Sequence, residues 1–521
     1  MFNRLTRNLL VGASAWVLFT GLTTGNVSAT TGYATNVIEV DLGKSQGTFP
    51  YALGHDLSSR PFLGDQRDTT VITGTSTPDD QMSDATVSRV AQLKLQHTRL
   101  WLTLADLCNA TTHVCDDAAK DPYLASYDGL TQSIFLNWGS DYDEWVKAPK
   151  AGVSWTAAQL QDATDQALTH LKTAFPKLEY IEVENESISP TAPDIADYMT
   201  KYLMMSRLVK AVNGLGLPGP KLKVGGPTTD IFSTWRIGMF LAAYQASTDP
   251  DKELDFISYH QYITNSGGPY AAADGADPAV AATERSTLDG LLTKYGQPAG
   301  LPVFVSETGV FPGTCDTQSC PTTATTPNAL DFHIQAAALA SLDYYYANQH
   351  GITPMHWTIA HGGNARKSLF DDYTSATPQA RPYYDMIQMQ TMLPATRYQS
   401  VNRDTTQLSA PGIGVYSLAA ADATTVAVMS WNYQWAATQP QGYDSEIHFA
   451  NLPPAFQTSN VLVTRYYLPA STLSGDLKPV ESFVVGPRTA GTYYGENLPL
   501  GANEIRLTVL TLTNAPVGTR Y

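Results

Sequence analysis

Cysteine is scarce in this chain, four residues in 521, and the four fall as two close pairs, Cys108 with Cys115 and Cys315 with Cys320. Neither pair has CxxC spacing and no histidine cluster accompanies them. Two short-loop disulfides follow, with metal binding as the alternative. Basic charge is short as well, 32 Lys and Arg against 48 Asp and Glu. That balance argues against nucleic acid or an anionic membrane surface as partner and fits a neutral or cationic ligand better. Long apolar runs are missing except for one, Leu9 to Leu22. It falls short of the roughly 20 apolar residues that span a bilayer. Arg4 and Arg7 precede it and Val27-Ser28-Ala29 follows it, the layout of a secretory signal, so cleavage is expected after Ala29 and the mature protein is expected to be secreted, extracellular or periplasmic, with no membrane contact. Internal repeats and low-complexity linkers are also absent, so the parts of the chain are expected to pack tightly.

Removing 29 of 521 residues leaves 492, too many for one ordinary core. That length suits a barrel of about 250 residues or more with a smaller domain beside it. From about residue 50 to 358 the chain repeatedly gives a short apolar run, a loop, and usually a longer segment of helical period. Eight candidate strands result: Tyr51 to Leu57, His97 to Leu102, Ser133 to Asn137, Tyr180 to Val183, Leu222 to Gly225, Phe256 to His260, Pro302 to Ser306 and Ile352 to Thr358. The helical segments are clearest at Ala157 to Thr173, Asp194 to Val212, Pro278 to Tyr295 and Ala329 to Asn348, whereas Asp106 to Gln132 shows no convincing helix. Alternation of this kind predicts the α/β class and a (β/α)₈ TIM barrel, with its chemistry on the loops after the strands' C-terminal ends.

After Asp371 one more helix, Arg381 to Leu393, gives way to short alternating strands such as Gly414 to Leu418, Thr425 to Trp431, Val461 to Leu468 and Glu504 to Leu512. This texture predicts a C-terminal β-sandwich. Val37 to Leu42 also alternates, and is expected to complete the sandwich before the chain enters the barrel. The expected division is a signal at 1–29, a joining strand at 30–50, a barrel at 51–394 and the sandwich at 395–521.

The fourth strand runs straight into Asn185-Glu186. Glu182, Glu184 and Glu186 share one side of an extended strand by period two, so at least one must face a polar interior. The seventh strand, Leu301-Pro-Val-Phe-Val-Ser-Glu307, is apolar and finishes on an acid. A lone strand-end glutamate is more often part of a hydrogen-bond network. Two, ending strands four and seven of one barrel, can point into one cleft. That is the equipment of retaining glycosidic-bond hydrolysis, in which one carboxyl protonates the leaving oxygen and the other attacks the anomeric carbon.

With these motifs the chain resembles glycoside hydrolase clan A, and most closely family 39, the β-xylosidase and α-iduronidase family. The resemblance covers barrel and sandwich. It rests on Asn185-Glu186, on Val224-Gly-Gly-Pro227, on Asp255-Phe-Ile-Ser-Tyr-His-Gln-Tyr262 and on Ser306-Glu307. It implies Glu186 as acid/base, Glu307 as nucleophile, and Asn185 as a partner of the sugar hydroxyl beside the anomeric carbon. His260 and Tyr262 match positions that line the site, with Tyr262 a candidate hydrogen-bond donor to the nucleophile and plain packing the alternative. Arg99 matches the clan's site arginine, whose charge would favour an ionised Glu307; a structural salt bridge is the alternative. His55 is a candidate hydroxyl binder or a satisfied core histidine, and Trp357 a candidate floor for a sugar ring or ordinary core. No cofactor or metal is required.

The chain has Ser187 where family members commonly carry proline, and no Lys or Arg cluster after a strand suggests a uronic-acid pocket. The reading is therefore a retaining exo- or endo-acting hydrolase of a plant or microbial oligo- or polysaccharide. A transglycosylase using the same residues and a non-catalytic carbohydrate-binding barrel stand as alternatives.

Overall fold

Eight consecutive strands in the first two thirds of the chain are each flanked by parallel neighbours, and the last of them pairs with the first. In the computed structural model, residues 33–58, 82–188, 194–263, 277–309, 329–359, 369–403, 414–434, 441–470, 475–488 and 495–521 are described, apart from the side chains of 329–334 and 495–498. The signal-like segment and the Cys315, Cys320 pair lie outside those residues.

The chain begins with a long strand, β1 (Ala34–Thr48), and then builds a closed barrel of eight parallel strands. These are β2 (Asp56–Ser58), β3 (Leu95–Thr103), β4 (Thr131–Gly139), β5 (Leu178–Val183), β6 (Lys223–Thr229), β7 (Phe256–Tyr262), β8 (Val303–Gly309) and β9 (Ile352–Trp357). One helix follows each in turn: α1 (Asp84–Ala91), α2 (Asp121–Asp128), α3 (Ala157–Ala174), α4 (Ile195–Gly214), α5 (Thr234–Ala246), α6 (Glu284–Lys294), α7 (Ala329–Ala347) and α8 (Pro382–Thr391). Helix starts are set by side-chain caps where the sequence offers them. Ser83, Asp194 and Ser233 accept from backbone amides of their first turns, and Thr156 with Gln159 forms a reciprocal capping box.

The eight-strand expectation holds, with local corrections. The first strand is only Asp56–Ser58, because Tyr51 to His55 is a turn. The stretch expected to lack a helix contains α2, an eight-residue element with Pro122 in its first turn. Its contact with the core is Tyr123, Leu124 and Tyr127, too short a stripe to show a period. The segment expected as one helix from Pro278 to Tyr295 is a 3₁₀ turn, Pro278–Thr283, followed by α6. Cys108 and Cys115 are joined in a disulfide, as expected. The Val224-Gly-Gly-Pro227 motif has a steric reason, since a Cβ on Gly225 would lie 2.5 Å from the Phe256 ring and carbonyl.

Beyond α8 the chain forms β10 (Thr396–Asn402), β11 (Gly414–Ala421), β12 (Thr425–Tyr433), β13 (Tyr443–Ala450), β14 (Asn460–Leu468), β15 (Pro479–Val485), β16 (Gly495–Leu500) and β17 (Ile505–Thr513). With β1 they make one nine-stranded mixed sheet in the order β15-β14-β17-β12-β11-β10-β1-β13-β16. The sheet curls on itself like a sandwich. Val461 and Val463 near one edge share a core with Ile447 and Phe449 near the other, and Ile38, Val40 and Leu42 of β1 complete it as the alternation predicts. On β12 the opposite face, Ala427, Met429, Trp431 and Tyr433, belongs to the barrel's core instead. Trp431 Nε1 donates to Ser341 Oγ of α7 at 2.8 Å. Period-two alternation thus gives one strand two cores.

Glu284 is buried at the start of α6, where the Tyr259 and Tyr346 hydroxyls donate to its Oε2 at 2.8 and 3.3 Å. Burial pushes its carboxyl up to about 8, against two hydroxyls that lower it. The folded carboxyl holds its proton while the unfolded one releases it near the ordinary value. Its contribution to stability is therefore complete below about pH 4.5 and is lost as pH rises toward 8. At 1.36 kcal/mol per pH unit the loss is on the order of 5 kcal/mol. Glu284→Gln is expected to reduce the fall in unfolding temperature between pH 5 and pH 9; an unchanged slope would refute the assignment.

Candidate active site

Barrel side chains stack in layers, and the lower layer is aromatic. Phe135, Tyr180, Phe256 and Phe304 meet ring to ring at centroid distances of 5.0–5.7 Å, with Met355 beside them. One alternation step further along the same strands, the interior turns polar: Asn137, Glu182, Ser258 and Ser306, all buried. Arg99 of β3 is the cation of this layer and has no exposed surface.

The guanidinium of Arg99 is fully engaged. Nε donates to Glu182 Oε2 at 2.7 Å, Nη1 to Glu307 Oε1 at 2.9 Å and Nη2 to Asn185 Oδ1 at 2.8 Å. Asn137 Nδ2 adds a second donor to Glu182 Oε2 at 2.8 Å. Burial alone would raise the Glu182 carboxyl; Arg99 first, then His260 and the Ser306 and Ser258 hydroxyls, bring it below its ordinary value. Glu182 is thus an ionised anchor for Arg99.

Glu307 reaches the interior through an irregularity. Phe304 and Ser306 face inward, so strict alternation would send Glu307 outward, but the β7–β8 register slips between Tyr259 and His260 and sets Glu307 opposite His260. There Tyr262 donates its hydroxyl to Glu307 Oε2 at 2.7 Å. His260 Nδ1 lies 2.7 Å from Glu186 Oε1 and 3.6 Å from Glu307 Oε2. Burial lowers the imidazole, yet Glu307 and Glu186 outweigh it and its proton is held more tightly than usual.

Glu186 stands at the end of a turn of unusual backbone. Glu184 and Glu186 have φ of 59° and 50°. Left-handed conformations at such residues cost on the order of 1–3 kcal/mol each and persist only where the surroundings fix them. The Glu186 amide donates to the Thr228 carbonyl at 2.9 Å, tying the turn to β6. Its side chain is 40 % exposed, against 7 % for Glu307. One donor atom from each of Glu186, His260 and Glu307 falls within a 4.8 Å cluster, the grouping among the described residues that has metal-ligand chemistry. The hydrogen bond between His260 and Glu186, and the guanidinium already on Glu307, compete with a cation there.

Of the residues singled out from sequence, Arg99, Asn185, Glu186, His260, Tyr262 and Glu307 come together. Trp357 joins Trp101 and Tyr262 in an aromatic cluster beside them, with the two indole centroids 5.7 Å apart, but it is 4 % exposed and offers little surface to a sugar ring. His55 is not brought to the cleft. It precedes its strand rather than following it, and its Nδ1 lies 2.9 Å from the carbonyl of Lys94, the residue before β3, at the other end of the barrel. Glu182 takes the interior position and Glu184 turns away, so the three glutamates of period two do not share one side. Asn137 was not singled out; an amide ending a strand two residues above a barrel-floor phenylalanine is the signal that marks it.

No family model matches the chain, and no curated protein sequence matches it. Solved structures do match in fold. A monomeric β-xylosidase from Caulobacter crescentus CB15 aligns over 92% of this chain and 100% of its own, with a TM-score of 0.62 at 14% identity. A GH39 enzyme from Xanthomonas axonopodis pv. citri gives 0.62 at 16% identity over 94% and 100%. A bacterial orthologue of human α-L-iduronidase gives 0.64 at 13% identity over 93% and 85%.

Arg99→Met is expected to destabilise the protein by about 3–5 kcal/mol, because it strands Glu182 as an unpaired buried carboxylate. Adding Glu182→Gln should restore part of the loss in denaturant unfolding. Additive losses would rule out the coupling.

Proposed function

We propose that this barrel is a secreted retaining glycoside hydrolase, with Glu186 as acid/base and Glu307 as nucleophile. The observation that carries the reading is the clustering of Glu186, His260 and Glu307 donor atoms within 4.8 Å at the ends of β5, β7 and β8. Retaining enzymes hold their two carboxyl groups about 5–5.5 Å apart, whereas inverting enzymes keep them about 6.5–9.5 Å apart to admit a water. Here one oxygen of each carboxyl falls within 4.8 Å of the other, which supports direct attack.

The two carboxylates also differ in the way their tasks demand. Glu307 is shielded and receives donors from Arg99 and Tyr262, which hold its carboxyl oriented toward the anomeric carbon it attacks. Glu186, more open, gives its proton to the departing oxygen as the C–O bond breaks. Once the glycosyl-enzyme forms, Glu186 takes a proton from water, and the water oxygen displaces Glu307 from the anomeric carbon. Asn185, held by Arg99, serves in this reading as the partner of the neighbouring sugar hydroxyl.

For substrate, we favour a neutral sugar of a plant or microbial oligo- or polysaccharide, as in β-xylosidases and related exo- or endo-glycosidases. Arg99 is committed to three side chains, and Arg236 to Asp230 and to the Ile188 carbonyl after Glu186. Neither is left to bind a uronate. The basic, then apolar, start of the chain and the Cys108, Cys115 disulfide support secretion, and no described helix is long and apolar enough to cross a membrane. The barrel at 51–394 would carry catalysis, with the strands of 30–50 and 395–521 as its support.

Glu307→Ala is expected to abolish turnover of aryl glycosides, with azide restoring a glycosyl azide of inverted configuration. Glu186→Ala should retain turnover only of substrates with good leaving groups. Proton NMR of the first product from the wild type should show the substrate's anomeric configuration. An inverted first product, or full activity in either variant, would sink the reading.

A further inference from the structure

Between the strand that ends at Val183 and the carboxylate of Glu186 lies a residue whose side chain reaches away from the cleft. Glu184 is half-buried and fastened at three points to the end of β4. Its amide donates to the Trp138 carbonyl at 2.8 Å, its carbonyl accepts from Asn137 Nδ2 at 2.7 Å, and its Oε1 accepts from the Ser140 amide at 3.2 Å and from the Ser140 hydroxyl. Ser140 is itself buried, and its hydroxyl accepts from the Tyr142 amide at 3.3 Å. Burial raises the Glu184 carboxyl above its ordinary value, and Lys201 of α4, also buried and paired with Asp143 and Asp197, offsets part of that rise through space.

These anchors fix a backbone that an extended strand would not adopt. Continued alternation would set Glu184 and Glu186 on the side that Glu182 occupies, inside the barrel. Instead φ turns positive at Glu184 and again at Glu186. The first turn sends Glu184 outward to Ser140; the second leaves Glu186 against His260, with its amide on Thr228. Asn185, between them, is carried onto Arg99. A side chain clamped on the β4 side and an amide clamped on the β6 side hold both ends of the turn.

We propose that Glu184 is a positioning residue: its clamp on Ser140 fixes the left-handed turn that places Glu186 for proton transfer. The inference rests on the acid/base reading of Glu186. It distinguishes Glu184 from a loop anchor of general structural value, whose loss would weaken every substrate alike. A displaced acid slows formation of the glycosyl-enzyme only for leaving groups that need the proton, which kcat/KM reads; the base-assisted second step is common to all substrates and enters kcat.

The test compares kcat/KM for phenyl and 2,4-dinitrophenyl glycosides of whichever sugar the wild type cleaves fastest among xylose, glucose and arabinose. Turnover of none, or equal losses on both in Glu186→Ala, would overturn the acid/base reading itself, and this inference with it. Otherwise Glu186→Ala should lose about 10²–10⁴-fold on the phenyl glycoside alone, the usual worth of general acid catalysis. Glu184→Ala should then lose on the order of 10-fold or more in kcat/KM on the phenyl glycoside, since misplacement by about 1 Å can cost 10²-fold, and less than about threefold on the dinitrophenyl one. Glu184→Gln, which keeps an acceptor for Ser140, should stay within about threefold on both. If Glu184→Ala does not fold, Ser140→Ala carries the comparison, with the same selective loss expected. Equal losses on both substrates, or none on the phenyl glycoside, would overturn the positioning role.

Discussion

The interior of the barrel depends on one guanidinium. Three polar groups from different parts of the chain, Glu182 on β5, Asn185 after it and Glu307 on β8, converge on Arg99, which has no contact with water. A lysine could not serve them together, because its donors radiate from a single nitrogen. The planar fork of arginine spreads its donors over three nitrogens at fixed angles. The charge does not close on Arg99 alone, however. Glu182 and Glu307 bring two carboxylates to one cation, and Glu186 stands nearby. His260, whose proton these carboxylates hold more tightly than usual, is the group that can bring the balance nearer neutrality. A cluster of five charged or protonable groups is thereby assembled around one fixed charge and one variable proton.

The floor below it makes these interactions stronger than they would be in water. Phe135, Tyr180, Phe256, Phe304 and Met355 fill the barrel and separate the charged layer from the opposite end. There a second ion pair, His97 with Asp56 at 2.6 Å, lies below the rings. With apolar side chains as the medium, the field of Arg99 on Glu307 is screened less than at a surface. The wall is held from behind as well: α7 packs against the curled sheet through the Trp431 to Ser341 hydrogen bond. The strands bearing the site are thus braced on both the inner and outer sides.

Most of this was legible because barrel strands obey simple alternation. Eight apolar runs separated by helices gave the closed sheet, Glu186 and Glu307 were identifiable as strand-end acids, and Asn185, His260 and Tyr262 followed from the resemblance of their motifs to a known family. What was not legible came from departures from alternation. The register slip in β8 turns Glu307 inward, and nothing in Val305-Ser-Glu307 announces it. The left-handed backbone at Glu184 separates three glutamates that a regular strand would align. His55 was misplaced because Tyr51 to Leu57 is apolar enough to pass for a strand, while only Asp56–Ser58 pairs. The helix α2 escaped because one buried face of three residues leaves no period to detect. Each departure is a local backbone event that composition does not encode, and two of the four lie at the site itself.

The same two departures explain why Glu186 and Glu307 have different surroundings, although both end barrel strands and both face His260. The slip in β8 draws Glu307 into the layer of Arg99 and Tyr262, where two donors and near-complete burial fix one carboxylate orientation. The turn after β5 does the reverse for Glu186, keeping its backbone rigid while its side chain stays open to solvent. A nucleophile gains from being held in one attacking orientation with its charge stabilised. An acid/base must meet a leaving group in one step and a water in the next, so it needs an open side. On the proposed reading, the asymmetry of roles is therefore written in the backbone, by a bulge on one strand and a left-handed turn on another, before any difference in the side chains, which are identical.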